Sequence, residues 1–183
     1  LLAWGFNTAG AWSVEPQLLD MPPTIALSLG RRVKFMWVDP FDPDLPVRVR
    51  GMAKKLIASS KGDPRRIGYF SDNEIGWWNG PLFSWWQGPL FSAYTRHAPS
   101  NHTKQRLVGM LRERYRQDWQ AFKRDFTPPE DSRSFDDLLR ETRITTRMRP
   151  GGQGFSVVRE WTRIVAERYY RVMREAILAA DPE

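Results

Sequence analysis

The side chains most suited to chemistry lie in one short segment, Asp72-Asn73-Glu74. An apolar run over 66–71 precedes the segment and is typical of a buried strand. In a parallel α/β barrel, side chains at the C-terminal ends of strands line the active-site mouth. Burial beside indole rings favours the neutral form of a carboxylic acid, so Glu74 can hold a proton to donate. The other interpretation is that the three residues cap the next structural element, and local chemistry leaves both open.

Tryptophan is concentrated just after this segment. Four of the nine tryptophans fall within 77–86, and the octapeptide Trp-Trp-Asn-Gly-Pro-Leu-Phe-Ser at 77–84 recurs at 85–92 with a single change. Indoles in a loop rich in glycine and proline favour an exposed surface on which sugar rings or bases stack. A neutral local duplication is the alternative interpretation of this repeat.

Composition excludes several classes of site. The chain has 183 residues and no cysteine, which excludes disulfides, thiolate metal sites and a cysteine nucleophile. His97 and His102 are too few for a three-ligand zinc site. The acidic residues Asp39, Asp42 and Asp44 are separated by prolines and favour turn and capping roles over calcium binding. The sequence therefore predicts no metal and no cofactor, and it has no apolar run long enough for a membrane span.

The chain is basic, with 28 Lys and Arg against 21 Asp and Glu and a formal charge of +7. Such a charge can indicate a nucleic-acid partner. Over 112–125, however, arginines alternate with acidic residues, as on a solvated helix with local ion pairs. We therefore expect no nucleic-acid partner, and a basic nucleic-acid binder remains the weaker alternative.

Apolar periodicity predicts an α/β fold. Strand candidates lie at 6–9, 24–27, 33–38 and 66–71, and a helix is predicted over about 43–60 with Asp42 as its cap. The third strand, this helix and the fourth strand would form a βαβ unit and a parallel sheet. Further helices are predicted over about 103–125, 135–142 and 156–181, with a break at 150–154.

Several motifs resemble one enzyme family. The strand followed by Asn73-Glu74 resembles the acid/base signature of the clan A retaining glycoside hydrolases. Three segments are similar to motifs of its agarase-like and family 42 β-galactosidase-like members: Gly-Phe-Asn-Thr-Ala-Gly-Ala-Trp-Ser at 5–13, Asp-Pro-Phe-Asp-Pro at 39–43 and Gly-Tyr-Phe-Ser-Asp-Asn-Glu at 68–74. Arg114-Tyr115, Trp119 and the segment 134–138 resemble an insertion in the same enzymes. The resemblance extends over essentially the whole chain.

This resemblance implies a (β/α)₈ barrel with a helical insertion at about 93–155. It implies that Glu74 is the general acid/base and that Asn73 binds the 2-hydroxyl beside the scissile bond. By strand-end position, Asn7 and Trp12 would line the pocket, and Trp77 and Trp78 could form a sugar-stacking wall.

Retaining hydrolysis also needs a second carboxylate about 5–5.5 Å from the first. No acidic residue after Glu74 stands at the end of a strand-like run, and five of the later glutamates lie on helical patterns: Glu113, Glu141, Glu160, Glu167 and Glu175. We therefore expect residues 1–183 to form a single, partial barrel that lacks the nucleophile and is inactive alone.

The function predicted from sequence is hydrolysis of a β-linked galactoside or a related polysaccharide such as agarose, with retention of configuration. A non-catalytic carbohydrate-binding protein that uses the tryptophan-rich loop is the alternative. The sequence indicates neither the oligomeric state nor the cellular location.

Overall fold

A computed structural model of the chain describes residues 2–13, 20–32, 39–73, 75, 97–142 and 147–182. The predicted strand 33–38, the residue Glu74 and the tryptophan repeat lie outside these ranges. The chain divides into two compact units. Unit 1 comprises 1–38, 43–75 and 170–183, and unit 2 comprises 39–42 and 76–169.

The elements alternate strands with helices in the first half and are mainly helical afterwards. A 3₁₀ turn at Leu2–Trp4 is followed by β1 (Thr24–Ala26), α1 (Leu29–Arg32), α2 (Leu45–Ile57), β2 (Gly68–Phe70), α3 (His102–Arg114), α4 (Trp119–Asp125), β3 (Phe126–Thr127), α5 (Phe135–Arg140), β4 (Arg147–Met148) and α6 (Gly154–Ala180).

Unit 1 is organised around a short parallel sheet. β1 pairs with β2 in parallel, with Ile25 opposite Tyr69. Ala9 forms an isolated parallel bridge with Pro23, so the predicted strand 6–9 adds one bridging residue beside β1. The predicted α/β class with parallel strands is confirmed. The partial (β/α)₈ barrel is not, because the described strands form two sheets of two strands each.

Helix α2 lies within the predicted range 43–60 and confirms that a helix is present there. Leu45, Val49, Ala53 and Ile57 are buried at four-residue spacing, which places them on one side of the helix. The predicted cap, Asp42, is wrong, since the N-cap position is Asp44 and a proline occupies the first turn. Proline is favoured there because the N–H it lacks has no partner within the helix.

A buried ion pair fixes the start of β2 within unit 1. Arg66 Nη1 lies 2.7 Å from Asp181 Oδ2, and these side chains are 6% and 2% exposed. The Tyr69 hydroxyl donates to the same carboxylate oxygen at 2.7 Å. Arg66 also stacks over the Tyr69 ring, 4.8 Å from its centroid. These contacts attach the residue after α6 to the N-terminal end of β2.

Unit 2 shows that the single helix predicted over 103–125 is wrong. α3 ends at Arg114, and α4 begins after Asp118, whose carboxylate accepts the N–H groups of Gln120 and Ala121. Between them Arg116 and Gln117 have φ of +50° and +64°. Two successive left-handed residues interrupt the helical hydrogen-bond ladder, and the chain turns.

In the sequence, apolar residues recur every three to four positions on both sides of this turn. An aromatic cluster explains why. Phe122 stacks on Phe126 with centroids 5.1 Å apart, and Trp119 contacts Phe135 edge-on at 5.1 Å. Tyr115 meets Phe122 edge-on at 5.5 Å. Both helices therefore direct their aromatic side chains into one cluster, as a single helix would.

The predicted break at 150–154 and both helices beside it are confirmed. Ser134 caps α5 by accepting the N–H of Asp137. α6 begins at Gly154, where an added Cβ would lie 2.9 Å from the Asp125 carbonyl oxygen. An added Cβ on Gly152 would lie 2.8 Å from the Arg124 carbonyl oxygen. Glycine is therefore required at both positions, because the backbone at the C-terminal end of α4 lies too close to leave room for a side chain.

Lys104 is a fully buried lysine in α3. Its Nζ donates to the carbonyl oxygens of His97, at 2.8 Å, and Glu141. Burial lowers its pKa to about 8, although the negative charge of Glu141 acts in the opposite direction. The ammonium therefore joins the segment before α3 to the residue after α5.

We expect Asp181→Asn to lower the free energy of unfolding by about 3 kcal/mol, because it leaves the Arg66 guanidinium buried without its counter-charge. Urea titration followed by circular dichroism measures this loss. Glu167→Gln is the control, since it removes an exposed pair with Arg163 and should cost well under about 1 kcal/mol. Equal losses in the two variants would contradict the assignment.

Lys104 predicts a pH dependence of stability. Between pH 8 and the ordinary lysine pKa of 10.5, the unfolded chain binds a proton that the folded chain does not. The unfolding free energy should therefore rise with pH across this window, by up to about 3 kcal/mol relative to Lys104→Met. Paired urea titrations from pH 7.5 to 10.5 measure the difference, and a flat difference would show that Lys104 titrates normally.

Candidate active site

The C-terminal end of β2 is held to the start of α1 by main-chain hydrogen bonds. Leu27 N–H donates to the Phe70 carbonyl and Leu29 N–H to the Ser71 carbonyl, both at 2.8 Å. Backbone pairing between the segment after β1 and the end of β2 therefore continues beyond the three paired residues of the sheet. This fixes the path of the backbone up to the polar segment.

Asp72 caps helix α1. Its carboxylate oxygens accept the Gly30 N–H at 2.9 and 3.0 Å, and one of them accepts the Arg31 N–H at 3.4 Å. These donors lie in the first turn of the helix, where N–H groups have no partner in the helix and a negative charge is favoured. Asp72 therefore caps a helix, but that helix precedes it in sequence, so the interpretation that it caps the next element is wrong for Asp72.

Asn73 has a different environment from Asp72. It is exposed and directly follows the anchored carboxylate. An exposed amide can both donate to and accept from a sugar hydroxyl. Glu74, the predicted acid/base, lies outside the described residues, so its role stays a prediction.

Trp12 lies beside the end of β2. Its indole meets the Phe70 ring with centroids 5.1 Å apart and an interplanar angle of 78°. Trp12 is 53% exposed and Phe70 is 46% exposed. A turn with a hydrogen bond from Ser13 N–H to the Gly10 carbonyl holds the backbone around Trp12. The structure thus brings one predicted pocket residue to the strand that leads into Asn73.

The structure gives less information on the other predicted pocket residues, Asn7, Trp77 and Trp78. Asn7 is exposed, and its Oδ1 accepts a hydrogen bond from the hydroxyl of its neighbour Thr8 at 3.0 Å. Trp77 and Trp78 lie outside the described residues. The sequence analysis did not include Phe70 among the pocket residues. Strand alternation could have indicated it, because successive side chains along a strand point to opposite sides and Phe70 must face away from Tyr69.

Asp39 serves as a cap in unit 2. Its carboxylate accepts the N–H groups of His102 and Thr103 and the Thr103 hydroxyl at 2.6–2.9 Å. It therefore caps α3, which confirms the predicted capping role at this position. Within the described ranges no cluster of three or more histidine or acidic side chains could hold a metal ion.

Unit 2 also has a polar cleft of about 220 Å³, lined by Asp131, Ser132, Asp137, Arg140, Glu141 and Thr142. The N–H of Arg133 and the hydroxyl of Ser134 donate to Asp137 and lower the pKa of its carboxyl group. Asp137 therefore stays ionised and supports the start of α5. It does not have the environment of a proton donor.

In the part of the chain that the structure describes, no helix has the length and apolar character needed to cross a membrane.

Comparison with known proteins identifies the fold. No protein-family model matches the chain. A solved exo-beta-agarase superposes with a TM-score of 0.71 over 99% of this chain and 26% of its own, at 18% identity. The chain shares the fold of that part of the agarase. A second solved agarase gives a TM-score of 0.67 over 98% of this chain and 26% of its own, at 22% identity.

Sequence similarity points in the same direction. Beta-agarase B of Vibrio sp. (strain JT0107) is 31% identical over 94 residues, which cover 41% of this chain and 9% of that protein. The chain thus spans about a quarter of the length of the solved agarases and a smaller share of this relative. The predicted agarase-like character is supported, whereas likeness to family 42 β-galactosidases is not confirmed.

We expect Asp72→Ala to cost about 1 kcal/mol and to speed amide hydrogen exchange at Gly30 and Arg31, because both N–H groups lose their acceptor. Exchange measured by NMR checks this. Asp118→Ala is the matched control, since it removes a similar cap from α4 and should speed exchange at Gln120 and Ala121 instead. Unchanged exchange at Gly30 in Asp72→Ala would contradict the assignment.

Proposed function

We propose that this chain is the part of a glycoside hydrolase that carries the acid/base residue, and that the enzyme cleaves a β-linked galactoside polysaccharide such as agarose. The observation that carries the proposal is the agarase-like fold over 99% of the chain, with Asn73-Glu74 following a parallel strand. Partial-barrel geometry is part of this proposal.

The proposed reaction is a retaining double displacement. Glu74 donates its proton to the glycosidic oxygen while a second carboxylate attacks the anomeric carbon, so the carbon–oxygen bond breaks as the covalent intermediate forms. Glu74, now ionised, then takes a proton from water, whose oxygen attacks the anomeric carbon and releases the sugar and the second carboxylate.

The remaining site residues bind the substrate in this proposal. Asn73 binds the 2-hydroxyl beside the scissile bond, and its exposed position supports this role. Trp12 and Asn7 line the pocket, and Trp77 and Trp78 form a wall on which sugar rings stack.

The nucleophile is proposed to come from polypeptide outside residues 1–183. Support comes from the positions of five glutamates after Glu74. Glu113, Glu160, Glu167 and Glu175 lie within helices, and Glu141 directly follows α5. A carboxylate at a strand end is what the mechanism needs, so the 183 residues alone should not hydrolyse the substrate.

We expect Glu74→Gln in the whole enzyme to lower kcat/KM for an unactivated galacto-oligosaccharide by about 10²–10⁴-fold, because the leaving oxygen no longer receives a proton. Cleavage of an aryl galactoside whose leaving group needs no proton should lose far less in its first step. Reducing-sugar release and pre-steady-state release of the aryl group measure the two reactions.

Glu113→Gln is the matched control, since Glu113 is exposed on α3. Wild-type hydrolysis by Glu74→Gln would exclude the acid/base role. If wild-type enzyme binds oligosaccharide without cleaving it, the protein is a carbohydrate-binding one and the hydrolase proposal is wrong.

A further inference from the structure

Strand alternation places Phe70 on one side of the sheet in unit 1. The Tyr69 hydroxyl contacts Asp181 and Ser60, so its side chain points toward the turn after α2 and the residue after α6. In an extended strand the next side chain points to the opposite side. Phe70, whose register partner is Ala26, therefore lies on the side away from this cluster.

On that side the Phe70 ring meets Trp12. The 5.1 Å separation and 78° angle lie within the preferred range for an edge-to-face aromatic pair. The backbone of Phe70 is itself fixed, because its carbonyl accepts the Leu27 N–H at 2.8 Å. The fixed backbone of Phe70 thus places its ring beside a side chain that comes from a turn.

Both aromatic side chains of the pair are exposed. Trp12 is 53% exposed and Phe70 is 46% exposed, although both lie beside a hydrogen-bonded strand end. An edge-to-face contact occupies only part of the indole surface and leaves the rest open to a ligand. The apolar C–H side of a pyranose ring matches such a surface in size and polarity.

We propose that Phe70 is a positioning residue for substrate binding, and that it holds the Trp12 indole in the orientation in which a galactoside ring stacks on it. This inference rests on the proposed function for its ligand. It adds a residue that no resemblance assigned, and it gives a reason for a phenylalanine three positions before Asn73. The role is binding, so Phe70 should affect substrate affinity more than the chemical step.

The test compares Phe70→Leu, Phe70→Tyr and Phe155→Leu in the whole enzyme. Leucine keeps apolar bulk without the ring, and tyrosine keeps the ring. Phe155 on α6 is the matched control, because it is 49% exposed and belongs to unit 2. Biosynthetic 5-fluorotryptophan reports on the indoles by ¹⁹F NMR, and Trp12→Phe assigns the Trp12 resonance.

In Phe70→Leu we expect the Trp12 resonance of the sugar-free enzyme to move and broaden. The KM for a galacto-oligosaccharide should rise up to about tenfold with kcat changed less than about twofold, since an aromatic pair contributes affinity in this range. Phe70→Tyr should restore both values. In wild-type enzyme the oligosaccharide should shift the Trp12 resonance.

Three results would overturn the inference: an unmoved Trp12 resonance in Phe70→Leu, an unchanged KM, or an equal rise of KM in Phe155→Leu. The Kd for the oligosaccharide, measured by calorimetry with Glu74→Gln, separates this inference from the proposed function. If sugar binding depends on Phe70 but wild-type enzyme shows no hydrolysis, the catalytic proposal fails and Phe70 keeps its role. If no oligosaccharide binds at all, both fail.

Discussion

The buried ion pair between Arg66 and Asp181 is the constraint on which unit 1 depends. An isolated charge in an apolar interior is very costly, so each partner requires the other to be in place. Arg66 stands just before β2 and Asp181 just after α6, so the pair sets where the strand begins. The three-residue strand, its pairing with β1 and the position of Asn73 at its far end all follow from that start.

The two ends of β2 therefore have different surroundings and different roles. Its N-terminal end is occupied by the Arg66–Asp181–Tyr69 cluster, in which the ion pair is buried and the Tyr69 hydroxyl donates to the same carboxylate. Its C-terminal end is followed by Asp72, which is used for capping α1, and by the exposed Asn73. In (β/α)₈ barrel enzymes the chemistry lies at the C-terminal ends of strands, and the proposed binding residue Asn73 follows that end of β2.

The sequence predicted the helices better than the contacts between residues far apart in the chain. The helices α2 and α6 followed from apolar spacing, and α5 followed from the capping pattern of Ser134 and Asp137; both are local properties. The turn between α3 and α4 did not, because Arg116 and Gln117 adopt left-handed backbone without a glycine to signal it. The role of Asp72 was equally hidden, since its partner Gly30 is 42 residues away. Asp39 likewise caps a helix that begins 63 residues later.

The division of the chain into units has a consequence for how such a protein can change over time. Unit 1 is assembled from three stretches of sequence and unit 2 from two, with the short segment 39–42 assigned to unit 2 inside the stretches of unit 1. No single crossover in the coding sequence can transfer either unit to another protein without part of the other unit. Homologous recombination within 43–169 would therefore combine segments of two parental genes in both units.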